Sequence, residues 1–190
     1  MGKVIRGQRK GKGDIFTSQT RLRKGAVNFR KLDYAERHGY IKDVIKDIIH
    51  EPGRSVPSVK VQFQNPYKYK CDNELIVAVE GMYLGRFIYC GKKAPLTFSN
   101  ILLVCSMPEG SIISSVKAEV GDCGTFDGCS GNYTVLIAHD EDKGTIKMLL
   151  PSGAKKTASS DCRVMVSIAA GGRRTGKSML KVGRAYNKFV

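Results

Sequence analysis

Residues 74–80 read Glu-Leu-Ile-Val-Ala-Val-Glu, a short apolar run that ends at Gly81. Its length and its β-branched residues predict a buried strand. A helix is an alternative for the similar run at residues 40–49, although its β-branched density favours a strand. Turns rich in Pro and Gly separate the runs. The other predicted strands are residues 59–63, 86–90, 101–104, 111–116, 133–139, 145–150 and 163–170.

Short strands at a spacing of roughly ten residues are typical of small all-β barrels. We expect two barrels, with a seam near residues 92–100. The predicted division is a basic extension over 1–35, a first barrel over 36–95, a second barrel over 96–170 and a basic C-terminal segment over 171–190.

The basic charge is concentrated at the two ends of the chain. Of the formal net charge of +15, +8 lies in residues 1–30 and +6 in residues 171–190, which leaves +1 for the residues between. Segments this basic cannot fold alone, but they can become ordered when phosphates neutralise them. The pattern favours a nucleic-acid partner over tails that merely aid solubility.

Several other classes of protein are disfavoured. No run approaches the ~20 apolar residues needed to span a bilayer. The polar N-terminus predicts no signal peptide, and glycines are expected to break any amphipathic basic helix. The six cysteines include no Cys-x-x-Cys pair, so we expect free thiols in a reducing compartment and no structural zinc.

Residues 171–178 read Gly-Gly-Arg-Arg-Thr-Gly-Lys-Ser and satisfy the Walker A pattern. A nucleotide-binding loop of this type also needs a long following helix and a parallel sheet, which the short strands do not predict. We therefore interpret the motif as a flexible basic loop that contacts RNA phosphates. A nucleotide-dependent enzyme is the weaker alternative.

His38, His50 and His139 are interpreted as surface or capping residues rather than general bases.

Motifs along the whole chain resemble one family. They include MGKVIRGQRKGKGDIF at the start, DIIHEPGR, NPYKYK, ELIVAVEGMYLGRFIYCGKKA, MPEGSI, SGNY, LPSGAKK, AAGG and KVGRAYNKF. In this order they resemble universal large-subunit ribosomal protein two, called protein eight in eukaryotic cytosolic ribosomes.

The resemblance implies an OB-fold barrel followed by an SH3-like barrel, with basic extensions that run into ribosomal RNA. It implies a structural, non-catalytic role near the peptidyl-transferase centre and in subunit association. The implied partners are large-subunit ribosomal RNA and neighbouring ribosomal proteins, with no membrane and no small-molecule substrate. The implied location is the cytosolic ribosome, after assembly in the nucleolus. No cofactor is expected, although structural magnesium shared with the RNA stays open. A free translation factor or RNA chaperone is the alternative.

The resemblance also implies which residues contact RNA. They lie in the two basic ends and in two turns of the body, and they are Arg6, Arg9, Lys10, Lys12, Arg21, Arg23, Lys24, Arg30, Lys92, Lys93, Lys155, Lys156, Arg173, Arg174, Lys177, Lys181, Arg184, Tyr186 and Lys188. Tyr186 and Phe189 interleave the last charges, where they could stack on bases or pack against the barrel.

Two departures from the family pattern stand out. The loop before SGNY carries Cys123, Thr125 and Gly128 where basic residues are expected, which puts the local RNA contact in doubt. Family members also continue past AYNKF into a glycine- and histidine-bearing extension. Either the chain is incomplete here or it has lost that extension.

Overall fold

The computed structural model describes residues 2–3, 5, 8–11, 13, 21–122, 124–171, 176 and 178–189. In this part the chain is mostly sheet. The strands are β1 (Ile41–Ile49), β2 (Ser58–Gln64), β3 (Cys71–Val77), β4 (Phe87–Cys90), β5 (Ile101–Leu103), β6 (Ile112–Ser114), β7 (Thr134–Asp140), β8 (Thr145–Leu149), β9 (Lys155–Ser159) and β10 (Arg163–Val166). The helices are α1 (Tyr34–His38) and α2 (Val182–Phe189), with 3-10 turns at Gln8–Lys10 and Val104–Ser106.

The described strands follow one hydrogen-bonded order, β3-β2-β1-β4-β5-β10-β6-β7-β8-β9. Most neighbours are antiparallel, and the two halves meet where Cys90 pairs with Ile101 in parallel. The register shifts between Ile45 and Asp47 in β1 and between Leu136 and Ala138 in β7. Such irregularities bend strands strongly, as the walls of small barrels require.

Two hydrophobic cores lie on either side of a shared wall. Successive residues of a strand point to opposite faces. In β5, Ile101 therefore joins the core of β1–β4, whereas Leu102 joins the core of β6–β9. In β10, Met165 and Val164 divide in the same way. The two halves are thus packed against each other through β5 and β10.

The strand predictions are confirmed apart from their ends, but β9 and α1 were missed. β9 reads KKTAS and buries one apolar residue, Ala158, so it carried no hydrophobic signal. α1 is short and begins after Asp33, whose side chain accepts a hydrogen bond from the N–H of Glu36. These elements are held by local hydrogen bonding rather than by a pattern of burial.

The expectation that glycine breaks every basic helix is wrong for α2. Gly183 is its second residue. The first N–H groups of a helix have no intrahelical acceptor in any case. A glycine there costs roughly 1 kcal/mol relative to alanine and does not end the helix.

A buried ion cluster ties α1 to β10. The Glu36 side chain is 0% exposed and accepts hydrogen bonds from Nη1 of Arg163 at 2.6 Å and Nη1 of Arg30 at 3.1 Å. Arg30 also pairs with Asp33 at 2.6 Å, and Nη2 of Arg163 donates to the carbonyl oxygen of Arg30. Burial opposes the charge of Arg30, but its two acidic partners outweigh burial and raise the pKa of the guanidinium.

Asp43 is a second buried acid, beside this cluster. Neither of its carboxyl oxygens meets a nitrogen or oxygen donor among the described residues. Burial raises the pKa of Asp43 to about 7, and the charge of Glu36 adds to this rise. The thiol of Cys90 and the charge of Arg30 act in the opposite direction, but they do not offset burial.

Arg163→Met is expected to destabilise the protein by about 3–5 kcal/mol, because removing one partner of a buried ion cluster leaves an uncompensated charge. Urea unfolding of the purified chain measures the loss. The control is Lys143→Met, which removes the exposed partner of Asp140 and should cost under about 1 kcal/mol. Equal, small effects of both changes would contradict the assigned role of Glu36.

Asp43→Asn is expected to gain stability over the parent chain as the pH rises from about 4 to 7. The folded protein keeps the Asp43 proton to about pH 7, whereas the unfolded chain releases it near the ordinary aspartate pKa of 3.8. The folded state therefore binds more protons between these values, and the parent's free energy of unfolding falls, by about 4 kcal/mol at most. Urea unfolding at pH 5 and pH 8 tests this. Asp47→Asn, an exposed acid on the same strand, is the control. A pH-independent difference would refute the assignment.

Candidate nucleic-acid interface

The N-terminal extension is anchored to the body at its inner end. Val27 and Phe29 are buried, and the N–H of Asn28 donates to the carbonyl oxygen of Leu75 in β3 at 2.9 Å. The centre of the Phe29 ring lies 5.5 Å from Nζ of Lys117 and 5.9 Å from Cζ of Arg163. The anchor fixes the direction in which the preceding basic residues leave the body.

A basic cradle forms where residues 21–26 pass the β1–β2 turn. We define it by Arg23, Lys24 and Arg54, which line a cavity of about 680 Å³ together with Glu51. The N–H of Lys24 donates to Oε2 of Glu51 at 2.9 Å, so the buried acid positions the backbone of the cradle. Three cations around one positioning carboxylate leave net positive charge for an anion such as phosphate.

Gly53 gives the cradle its room. A Cβ atom at Gly53 would lie 3.0 Å from Nε of Arg23 and 3.5 Å from its Cζ. A larger residue would therefore have to displace the guanidinium. Arg54 was absent from the predicted contacts, although it ends the quoted motif DIIHEPGR. Its place in a turn gave no sign that the extension would pass beside it.

Arg30 lies apart from the other predicted contacts of the extension. Its guanidinium is committed to Asp33 and Glu36, and its side chain is only 12% exposed. The structure thus uses this cation inside the protein. Arg21, Arg23 and Lys24 are exposed, as is Arg9 in the Gln8–Lys10 turn.

The Gly91-Lys92-Lys93 turn has a fixed backbone and exposed side chains. The N–H of Lys92 donates to the carbonyl oxygen of Glu36 at 2.9 Å, and that of Lys93 donates to Gly39 at 3.1 Å. The two ammonium groups therefore extend from a backbone held against α1. This arrangement orders the turn before any ligand arrives, which lowers the entropy cost of binding.

Lys155 and Lys156 lie on β9, the strand at one edge of the sheet. Both are exposed, and Nζ of Lys156 lies 4.3 Å from the centre of the Phe126 ring. Phe126 belongs to the loop over 121–129, which contains no basic residue. Lys156 therefore carries positive charge towards a loop that has none of its own.

The remaining predicted contacts belong to the two ends. Lys181 and Tyr186 are exposed at α2. The side chains of Lys10, Arg184, Lys188 and Phe189 lie outside the described part, although their backbones belong to the Gln8–Lys10 turn or to α2. Arg6, Lys12, Arg173, Arg174 and Lys177 lie outside the described residues altogether, as does most of the Walker-like motif.

Two of the three histidines contact other groups of the fold. Nε2 of His139 lies 2.8 Å from the carbonyl oxygen of Met107, and the His38 ring lies 4.3 Å from that of Tyr34.

Across the described residues, no group of three or more His, Cys, Asp or Glu side chains is arranged to hold a metal ion. Neither described helix has the length and apolar character needed to cross a membrane.

Comparisons with known proteins agree along the whole chain. The model of Ribosomal Proteins L2, RNA binding N-terminal domain, matches residues 1–90, and that of Ribosomal Proteins L2, C-terminal domain, matches residues 97–190. Large ribosomal subunit protein uL2 of Candida albicans is 56% identical over 189 residues, which cover 100% of this chain and 74% of that protein. With the same coverage, uL2A of Schizosaccharomyces pombe is 55% identical and uL2A of Saccharomyces cerevisiae is 52% identical. The chain, whose all-β structure fits an OB-fold followed by an SH3-like barrel, belongs to the ribosomal protein L2 family.

Proposed function

We propose that this protein is a structural constituent of the large ribosomal subunit and that it binds ribosomal RNA through its exposed cations. The basic cradle carries the proposal. There, Arg23, Lys24 and Arg54 surround a cavity while a buried carboxylate holds the backbone in place. The Lys92–Lys93 turn, β9 and α2 extend the same cationic surface. Neutralised phosphates would supply most of the affinity.

The finer role we propose is support of the RNA around the peptidyl-transferase centre and of subunit association. This role follows from membership of the family. In the ribosome the RNA carries out the peptide-bond chemistry, so we assign no catalytic residue to this chain. Neighbouring ribosomal proteins would be its other partners. Any magnesium would be shared with the RNA, since phosphate oxygens are the ligands that magnesium prefers.

The proposed location is the cytosolic ribosome, with assembly in the nucleolus. The support is the identity of more than half of the aligned residues to large-subunit proteins of several eukaryotes. Sedimentation of the tagged protein through a sucrose gradient after a high-salt wash tests it. Co-migration with large subunits is expected, whereas a position at the top of the gradient would favour a free factor.

The double variant Arg23→Ala, Arg54→Ala should bind large-subunit ribosomal RNA more weakly and with a smaller dependence on salt. Each lost phosphate contact lowers the slope of log affinity against log salt by about 0.9, so two contacts should lower it by about 2. Filter binding between about 50 and 200 mM salt measures the slope. Lys143→Ala, which removes an exposed lysine beside Asp140, is the control and should leave the slope unchanged. An unchanged slope in the double variant would remove the cradle from the interface. A salt-insensitive parent would contradict the proposed function itself.

A further inference from the structure

The turn between β2 and β3 presents aromatic rings that the protein itself does not use. Residues 65–70 read Asn-Pro-Tyr-Lys-Tyr-Lys. Tyr67 is 67% exposed, and Tyr69 is fully exposed to solvent. An exposed tyrosine ring gains none of the roughly 25 cal/mol per Å² that burial of apolar surface supplies. Packing within the described fold therefore does not explain why a tyrosine occupies position 69.

The turn that carries these rings is ordered by its own hydrogen bonds. Oδ1 of Asn65 accepts from the N–H of Tyr67 at 2.9 Å, and Nδ2 of Asn65 donates to Asp72 at 2.9 Å. The N–H of Asn65 donates to the carbonyl oxygen of Lys70 at 3.0 Å. Because the backbone is fixed at both ends of the turn, the rings are held out on a firm support. A ligand that stacks on them need not order the turn first.

The turn forms one wall of a groove, which we call the tyrosine groove. Its opposite wall is the start of β1, and the space between is about 740 Å³, within the range of roughly 300–1,000 Å³ that ligand pockets span. Tyr40 on the β1 wall is 55% exposed and meets Tyr89 edge-on at 5.7 Å. Tyrosines therefore line both walls.

The charge of the tyrosine groove is positive. Its described lining includes Lys42, Lys68 and Lys70 and no acidic residue. Nζ of Lys42 lies 3.9 Å from the centre of the Phe87 ring, so this ammonium group is held by a cation–π contact rather than by an acid. The adjacent carboxylate of Asp72 is bonded to Asn65. The groove thus offers flat aromatic faces beside ammonium groups.

Alternating rings and cations fit an unpaired nucleic-acid strand. Such a strand alternates bases, which stack on aromatic rings, with phosphates, which bind lysines. In the turn, Tyr67 and Tyr69 are separated by Lys68 and followed by Lys70. A duplex keeps its base faces stacked inside the helix and could use only the lysines. An acidic peptide would satisfy the lysines but would leave the exposed ring of Tyr69 without a flat partner.

We infer that the tyrosine groove binds unpaired ribonucleotides, with bases stacked on Tyr69 and on Tyr67 or Tyr40, and phosphates neutralised by Lys42, Lys68 and Lys70. This inference rests on the proposed RNA-binding function and adds a second mode to it. The basic cradle takes phosphates whatever their base pairing, whereas the tyrosine groove selects RNA whose bases are free.

The test uses the full chain and a fluorescein-labelled, uridine-rich RNA of about ten nucleotides, a length within the site sizes of single-strand binding proteins. Tyr69→Ala should weaken binding of this probe by about 5- to 150-fold, the range that loss of one stacked base produces. Tyr69→Phe keeps the ring and should bind like the parent. Tyr83→Ala removes a tyrosine that is 60% exposed in another turn, outside the groove, and should have no effect. A blunt RNA duplex of the same charge should bind all four proteins alike.

A second probe with one 2-aminopurine among uridines reports stacking directly. Its fluorescence should be quenched by the parent and by Tyr69→Phe, and less by Tyr69→Ala, which retains Tyr67 and Tyr40. If Tyr69→Ala bound and quenched like the parent, the inference would be overturned while the cradle kept its role. A parent that bound only the duplex would overturn it too. A loss of ribosome incorporation in Tyr69→Ala with unchanged binding of both probes would assign the turn to a protein neighbour instead. Failure of the parent to bind any RNA would count against the proposed function, not against the groove alone.

Discussion

The buried carboxylate of Glu36 is the constraint on which the rest of the structure depends. It joins Arg163 in β10 to Arg30 at the end of the N-terminal extension, positions 133 residues apart in the chain. A carboxylate that is 0% exposed is costly to bury unless cations meet it with good geometry. The pairing therefore admits one arrangement of extension, α1 and β10. That arrangement also fixes the Lys92–Lys93 turn, whose N–H groups bond to the carbonyl oxygens of Glu36 and Gly39.

The same constraint divides the cations of this basic chain into two groups. Arg30, Arg163 and Lys117 turn inwards, where they meet Glu36 or the ring of Phe29. Arg23, Lys24 and Arg54 stay outside. There the buried carboxylate of Glu51 positions the backbone, and its one negative charge does not neutralise the three cations. Inward cations hold the extension to the body, and the outward ones are thereby set at fixed places on its surface. The exposed positive charge is thus located at defined positions on the surface of the folded protein.

The sequence predicted the fold well where burial leaves a periodic signal and poorly elsewhere. Runs such as residues 74–80 revealed their strands because one or both faces are buried. β9 buries only Ala158, and α1 depends on one cap by Asp33, so neither produces a pattern. The sequence could not separate inward from outward cations, for a different reason. Arg30 and Arg23 are the same residue type, seven positions apart in the chain. Only the position of Glu36 in the folded protein places Arg30 in a buried ion pair. Arg54 and the tyrosines of residues 65–70, which we propose as contacts, were not among the predicted ones because no local rule says which turns face a ligand.

The two edges of the sheet connect stability with binding. An open strand edge invites pairing with another chain, and proteins protect such edges with lysines or by covering them. Here the extension covers the β3 edge at Leu75, where the N–H of Asn28 bonds to it, and Lys155 and Lys156 occupy the β9 edge. Both devices are also the sources of positive charge. Before RNA arrives, repulsion between lysines keeps the β9 edge of one molecule from pairing with that of another. In the proposed complex, phosphates would neutralise those lysines, and the RNA would then occupy the space beside the edge. The lysines that would discourage edge-to-edge pairing in the free protein are therefore the same ones that would offer charge to the proposed RNA partner.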